Sequence, residues 1–173
     1  MHATSQKLRI PSYRLEFPSN LVSIELVPLR TTIKEMKVMP VFTVDAPTGA
    51  PQNAKQKMLK EITDALDEAY PIPDTRGWLR EYSAENVSQD GRVQAEPVRP
   101  VVSLEAPELA SLDAKRKLVQ KIESAVGAAY DGIANTEEVL VLINHYPLRD
   151  VGWRGSLQSD KPEIVAAVAA LNR

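Results

Sequence analysis

KVMPVFTVDAP, residues 37–47, returns sixty residues later as RPVVSLEAP, residues 99–107. Shifted by that interval, residues 40–70 align with 100–130 without a gap. Pro40/Pro100, Ala46/Ala106, Pro47/Pro107, Lys55/Lys115, Ile62/Ile122 and Tyr70/Tyr130 are among the identities, and pairs such as Met58/Leu118 and Leu66/Val126 are conservative. After a four-residue offset the match resumes, with Tyr82/Tyr146, Val87/Val151 and Gly91/Gly155 each 64 apart. A match at fixed interval over this length is an internal duplication, so the fold is one unit used twice.

Each copy has the same plan. PVFTVDA and PVVSLEA alternate apolar and polar residues of β-favouring type and read as strands. A helix of about five turns follows each, with an apolar stripe at 3,4 spacing. In the first copy the stripe is Met58, Leu59, Ile62, Ala65, Leu66 and Ala69; in the second it is Leu118, Val119, Ile122, Ala125, Val126 and Ala129. Ser111 and Asp113 supply capping groups for the second helix, Asp131-Gly132 ends it, and Pro71 and Pro73 stop the first. Second strands are expected at GWLREY (77–82) and EEVLVLINHY (137–146), the latter apolar enough for a buried strand. The turn-rich ribbons ENVSQDGR and LRDVGWRGS come next. Ser159, Asp160 and Pro162 mark the start of a closing helix that is expected to bury Ile164, Val165, Val168 and Leu171.

Strand, helix and strand in that order make a crossover with parallel strands. Two such units predict an α+β fold, a four-stranded sheet carrying both helices on one face. The other face would stay apolar and uncovered, and is expected to be a subunit interface. The units divide the chain into residues 39–98 and 99–173, the second including the closing helix. Residues 1–38 stand outside the repeat. There NLVSIELVPL offers an additional edge strand, unless the segment is translated sequence ahead of a start at Met39.

Composition narrows the function classes. The 173 residues are 43% hydrophobic and 25% charged, ordinary for a globular protein. A net charge of -2 provides no clustered basic face for nucleic acid. Cysteine is absent and only His2 and His145 are present, which argues against thiolate chemistry, disulfides, histidine metal sites and a serine–histidine triad. No apolar run approaches the roughly 20 residues that span a bilayer, and the amino-terminal region lacks the apolar core of a signal peptide. A cytoplasmic protein is expected.

A duplicated β-α-β unit that opens with Met39-Pro40-Val41 and carries a Gly-containing ribbon after its second strand resembles the tautomerase superfamily. That group includes 4-oxalocrotonate tautomerase, malonate semialdehyde decarboxylase and cis-3-chloroacrylic acid dehalogenase. The resemblance covers roughly residues 39–160 and rests on order: Pro40, helix, Arg76, REY at 80–82, then VGWRG at 151–155. It implies a tautomerase-like fold, loss of the initiator methionine, and a mature chain whose first residue is the catalytic proline. It implies no metal or organic cofactor. The tandem form looks like the fused members, which implies a homotrimer.

The chemistry is consistent with that resemblance. A proline at a free amino terminus is a rigid secondary amine, and burial and nearby cations both disfavour its ammonium form. Such a group can take a proton and return it elsewhere, as keto–enol tautomerisation requires. Within a chain the same nitrogen is an amide. Pro100 is therefore a strand-opening residue, and Pro40 would be one too if residues precede it in the mature protein. Arg76 falls where the family carries an arginine for the substrate carboxylate, and Arg80 lies four residues on along the same strand face. Their counterparts in the second copy are Leu140 and Asn144, which leaves one competent site per chain and makes the second copy a wall.

Asp74 resembles the acid that precedes an arginine in malonate semialdehyde decarboxylases, or is a turn residue after Pro73. Trp153 and Arg154 lie in the ribbon that covers the site in the family. Trp153 would shield the proline from water, or fill a trimer interface. Arg92 in the other ribbon and His145 at a strand end are expected to be solvated and structural respectively. The dehalogenases' water-activating residues have no match, with Leu66 and Leu142 nearest to two of those positions, which argues against dehalogenation. The leading reading is a tautomerase acting on a small 2-oxo acid through Pro40, Arg76 and Asp74, with Arg80, Trp153 and Arg154 binding a small carboxylate substrate. The alternatives are decarboxylation or hydration of a 3-carbon acid, and a non-catalytic oligomeric protein of the same fold.

Overall fold

Alternation along the two opening strands sets the core. Phe42, Val44 and Ala46 of β1 (Val41–Pro47) and Val102, Leu104 and Ala106 of β5 (Val101–Ala106) are all buried on one sheet face. The structure, a computed structural model, describes residues 40–71, 74–94 and 97–173. The edge strand proposed within 20–29 lies outside them. Helix α1 (Gln52–Ala69) covers the core face with Met58, Ile62, Ala65 and Leu66. Helix α2 (Leu112–Tyr130) does so with Leu118, Ile122, Ala125, Val126 and Ala129. The apolar stripes predict these faces because a 3.6-residue period keeps them in line with the sheet.

The sheet is completed by β2 (Arg76–Tyr82) and β6 (Leu140–His145), in the order β2-β1-β5-β6. β1 runs parallel to β2 and β5 parallel to β6, each pair joined by its helix, whereas β1 and β5 are antiparallel. At the centre of that antiparallel pair Thr43 faces Ser103. These are the same position of the two copies, so a local two-fold axis passes between them. Gly77 is required by a close approach: an added Cβ would lie 2.2 Å from the ring tip of Phe42.

One short ribbon completes each copy, the two standing at the same 64-residue offset. They are β3 (Ser88–Gln89) with β4 (Arg92–Val93), and β7 (Gly152–Trp153) with β8 (Ser156–Leu157). Their turns, Asp90-Gly91 and Arg154-Gly155, place both central residues at positive φ, the primed geometry that matches strand twist. Ser111 Oγ accepts from the Ala114 N–H at 3.2 Å and caps α2, and Gly132 leaves it at φ 67°. Helix α3 (Pro162–Leu171) is tied back by Asn172, whose side chain accepts from the Ala110 N–H at 2.7 Å and donates to the Glu108 carbonyl at 3.1 Å.

Two expectations need correction. Val165 is exposed, because α3 packs only through Ile164, Val168 and Leu171 on the side that meets Leu148. Residues 137–146 are not one buried strand: Thr136–Glu138 form a 3-10 turn, and Leu140 and Leu142 of β6 are 50% and 43% exposed. They lie with Trp78, 49% exposed, on the sheet face that no helix covers. Among the described residues no helix is long and apolar enough to cross a membrane.

Candidate active site at the start of β1 and β2

Pro40 is buried where β1 begins, and its carbonyl accepts from the Arg76 N–H at 3.0 Å. Parallel pairing puts Arg76 opposite Val41, so the first residue of β2 stands beside the first residues of β1. The Arg76 guanidinium lies over the Trp153 ring, 5.2 Å from its centroid. Its Nη2 is 3.7 Å from Asp74 Oδ2. Asp74 is held at φ 84°, a left-handed conformation that costs a non-glycine residue energy and is seen mostly where the surroundings impose it. Residues from both copies thus converge at one strand end: Pro40, Asp74 and Arg76 from the first, and Trp153 from the ribbon of the second.

Stacking on indole orients a guanidinium without using its N–H donors. No hydrogen bond from the Arg76 guanidinium is made among the described residues, and the side chain is about half exposed. An oriented cation with open donors can take a carboxylate through two parallel hydrogen bonds.

The other two expected binding residues are elsewhere. Arg80 pairs opposite Asp45, two pleats further along β2 and about 13 Å from Arg76 at strand rise. Its Nη1 is 3.9 Å from Asp45 Oδ1, which also accepts from the Tyr82 hydroxyl at 3.0 Å. Arg154 occupies the ribbon turn at φ 52°, exposed and without a side-chain partner among the described residues.

Sequence reading missed a second group at the opposite strand ends. Lys55 Nζ donates to Glu81 Oε2 at 2.8 Å, and the Tyr130 hydroxyl of the other copy donates to Glu81 Oε1 at 3.3 Å. Burial, with Glu81 beside it, raises the Tyr130 pKa, so this hydroxyl stays a donor. The repeat identities Lys55/Lys115 and Tyr70/Tyr130 were the available signal. In the second copy His145 replaces Glu81, and the Tyr70 hydroxyl is buried without a hydrogen-bond partner among the described residues, its pKa pushed up to about 12 by burial.

Burial lowers the His145 pKa, and the Lys115 cation adds to this against a smaller opposing effect of Glu108. The unfolded chain therefore takes up this proton first as pH falls through about 6.5, and stability present above that pH is lost. Melting temperature is expected to fall between about pH 6.5 and 5, and to fall less in His145→Gln; equal slopes in the two proteins would show that His145 does not contribute.

The architecture has solved counterparts. The fused 4-OT Q0, a wild-type symmetric trimer, matches 69% of this chain and 96% of its own with a TM-score of 0.60 at 24% identity. The fold is that of the tautomerases. Pt0534 inactivated by 2-oxo-3-pentynoate matches 69% of this chain and 96% of its own, with TM-score 0.55 and 18% identity. Macrophage migration inhibitory factor from Toxoplasma gondii matches 68% of this chain and 98% of its own, with TM-score 0.56 and 10% identity. No protein-family model matches the chain, and no curated protein matches it in sequence. These structural overlaps establish a shared tautomerase fold, and Pro40 immediately precedes its first strand.

Proposed function

We propose that this protein is a tautomerase that interconverts the keto and enol forms of a small 2-oxo acid, using a free Pro40 amine as base. The observation that carries the reading is the convergence of buried Pro40, Arg76 and Trp153 at one strand end. Arg76 grips the substrate carboxylate. The Pro40 amine takes a proton from C3, the C–H electron pair forms the C2=C3 double bond, and the carbonyl pair moves onto oxygen. The ammonium then returns the proton to that oxygen, giving the enol, and ketonisation runs the same steps backwards. Burial and the Arg76 cation keep the amine neutral between turnovers, and Arg76 stabilises the enolate.

The Pt0534 structure suggests a direct test, since 2-oxo-3-pentynoate is a 2-oxo acid with an alkyne that a secondary amine can add to. A chain whose amino terminus is Pro40 is expected to be inactivated by this reagent with one adduct on its amino-terminal peptide. Arg76→Ala is expected to slow both labelling and phenylenolpyruvate turnover by about 10²-fold in kcat/KM. An adduct elsewhere, or Arg76→Ala labelling at the wild-type rate, would overturn the assignment.

Asp74 favours a second reading. A carboxylate held at positive φ beside the substrate cation suits decarboxylation or hydration of a 3-carbon acid, in which case Asp74→Asn abolishes activity. A chain in which Pro40 remains an amide would instead be a non-catalytic member of the fold. The absence of cysteine suits the reducing cytoplasm.

The uncovered sheet face around Trp78 and Leu142 is read as the interface of a homotrimer, the state in which the fused 4-OT Q0 was solved. Sedimentation equilibrium is expected to give three times the mass of one chain; a monomer would reject this part of the reading.

A further inference from the structure

The second copy is more than a wall. Where β5 and β6 begin, the first ribbon stands over a cleft of about 460 Å³ lined by Ser88, Gln89, Arg99, Val101, Glu138 and Leu140, among others. The local two-fold axis relates this cleft to the Pro40 site. Leu140, Glu138 and Gln89 stand 64 residues before or after Arg76, Asp74 and Trp153, and Arg99 is sixty residues from Met39. β6 lacks an arginine at its first position, yet the cleft still has a cation, supplied from the residue ahead of the internal proline.

Arg99 is oriented by its neighbours. Its Nε forms an ion pair with Glu138 Oε2 at 2.5 Å, and that oxygen accepts from Asn135 Nδ2 at 2.8 Å. With the Gln89 amide turned so that its oxygen faces Arg99, that oxygen accepts from Nη2 at 3.1 Å and Nε at 3.3 Å. A guanidinium has five N–H donors. Nε and Nη2 face these two partners, and both Nη1 donors have no partner among the described residues. That open edge suits one carboxylate gripped through two bonds. Val101 and Leu140 give the cleft an apolar wall beside it. Glu138 sets the limit, because a second anionic group on the ligand would meet its carboxylate.

We propose that this cleft is a second, non-catalytic site for a small monocarboxylate with an apolar body. Its proline nitrogen is an amide, so nothing bound there is turned over. The site does not depend on a free Pro40 amine, and it stands or falls separately from the tautomerase reading.

Phenylacetate is the probe, titrated into the full chain with labelled Val and Leu methyl groups and followed by NMR. The Val101 and Leu140 methyl signals are expected to shift saturably. The neutral phenylacetamide is expected to bind about tenfold more weakly, the worth of roughly one charge-assisted hydrogen bond. Arg99→Met is expected to abolish the response, Arg76→Met to leave it unchanged, and Glu138→Gln to tighten binding several-fold by removing the competing anion. Unshifted core methyls of Leu118 and Val126 distinguish lost binding from lost folding in Arg99→Met. If that variant unfolds, the Glu138→Gln and phenylacetamide comparisons decide. No saturable shift, the same shift in a folded Arg99→Met, equal binding of phenylacetamide, or unchanged affinity in Glu138→Gln would overturn the proposal.

Discussion

A chain that begins at Pro40 is expected to ketonise phenylenolpyruvate on the order of 10³-fold faster than one in which residues 1–39 precede it. The difference lies in a single nitrogen. As the first atom of the chain it is a secondary amine with an available lone pair, and in a peptide bond that pair is delocalised into the carbonyl and has no basicity. Pro40→Ala, also starting at residue 40, keeps an amine but makes it a primary one on a mobile terminus. It is expected to lose most of the rate while KM changes little, because Arg76 still holds the carboxylate. Steady-state kinetics on the three proteins, with amino-terminal sequencing of each, checks this. Equal kcat/KM with and without the preceding segment would remove Pro40 from the chemistry.

Phe42 and Gly77 form the contact with the largest expected effect on stability. The Phe42 ring is buried and lies across the glycine, in space that any side chain at 77 would enter. Phe42→Ala is expected to cost about 3–5 kcal/mol, from lost burial and the cavity left behind. Gly77→Ala is expected to cost about 1–3 kcal/mol, because the ring tip has to move within a packed core. The pair should not add. Shortening Phe42 to Leu makes room for the new methyl, so Phe42→Leu/Gly77→Ala is expected to lose less than the sum of the two single changes. Urea unfolding of the four proteins measures the coupling, and strict additivity would show that the ring does not restrict residue 77. Because Gly77 follows Arg76, such a shift would also disturb the cation, and activity should fall with stability.

Much of the fold was legible locally. Alternation in PVFTVDA and PVVSLEA marked which side chains are buried, and the 3,4 spacing from Met58 to Ala69 and from Leu118 to Ala129 marked the helix faces. The parallel crossovers followed from element order. Patterns of this kind misled where burial depends on more distant packing. EEVLVLINHY holds a continuous apolar run from Val139 to Ile143, yet one of its faces meets no helix, and the α3 stripe extends to Val165 although the core does not reach it. Of the candidate site, Pro40 was placed at a strand head by the repeat, and Arg76 was picked out by the resemblance to the tautomerase superfamily. Arg80 and Arg154 could not be sorted from them without the pairing register and the ribbon turn.

The amino-acid sequence alone determined the duplication, the strand and helix faces and the place of Pro40 at the head of the first strand, because periods of 2 and 3.6 residues are local and leave their mark in order along the chain. Only the tertiary structure decided that each ribbon serves the other copy, bringing Trp153 to Arg76 and Gln89 to Arg99. Those contacts follow from the two-fold axis between Thr43 and Ser103, a relation between distant segments that no local pattern encodes.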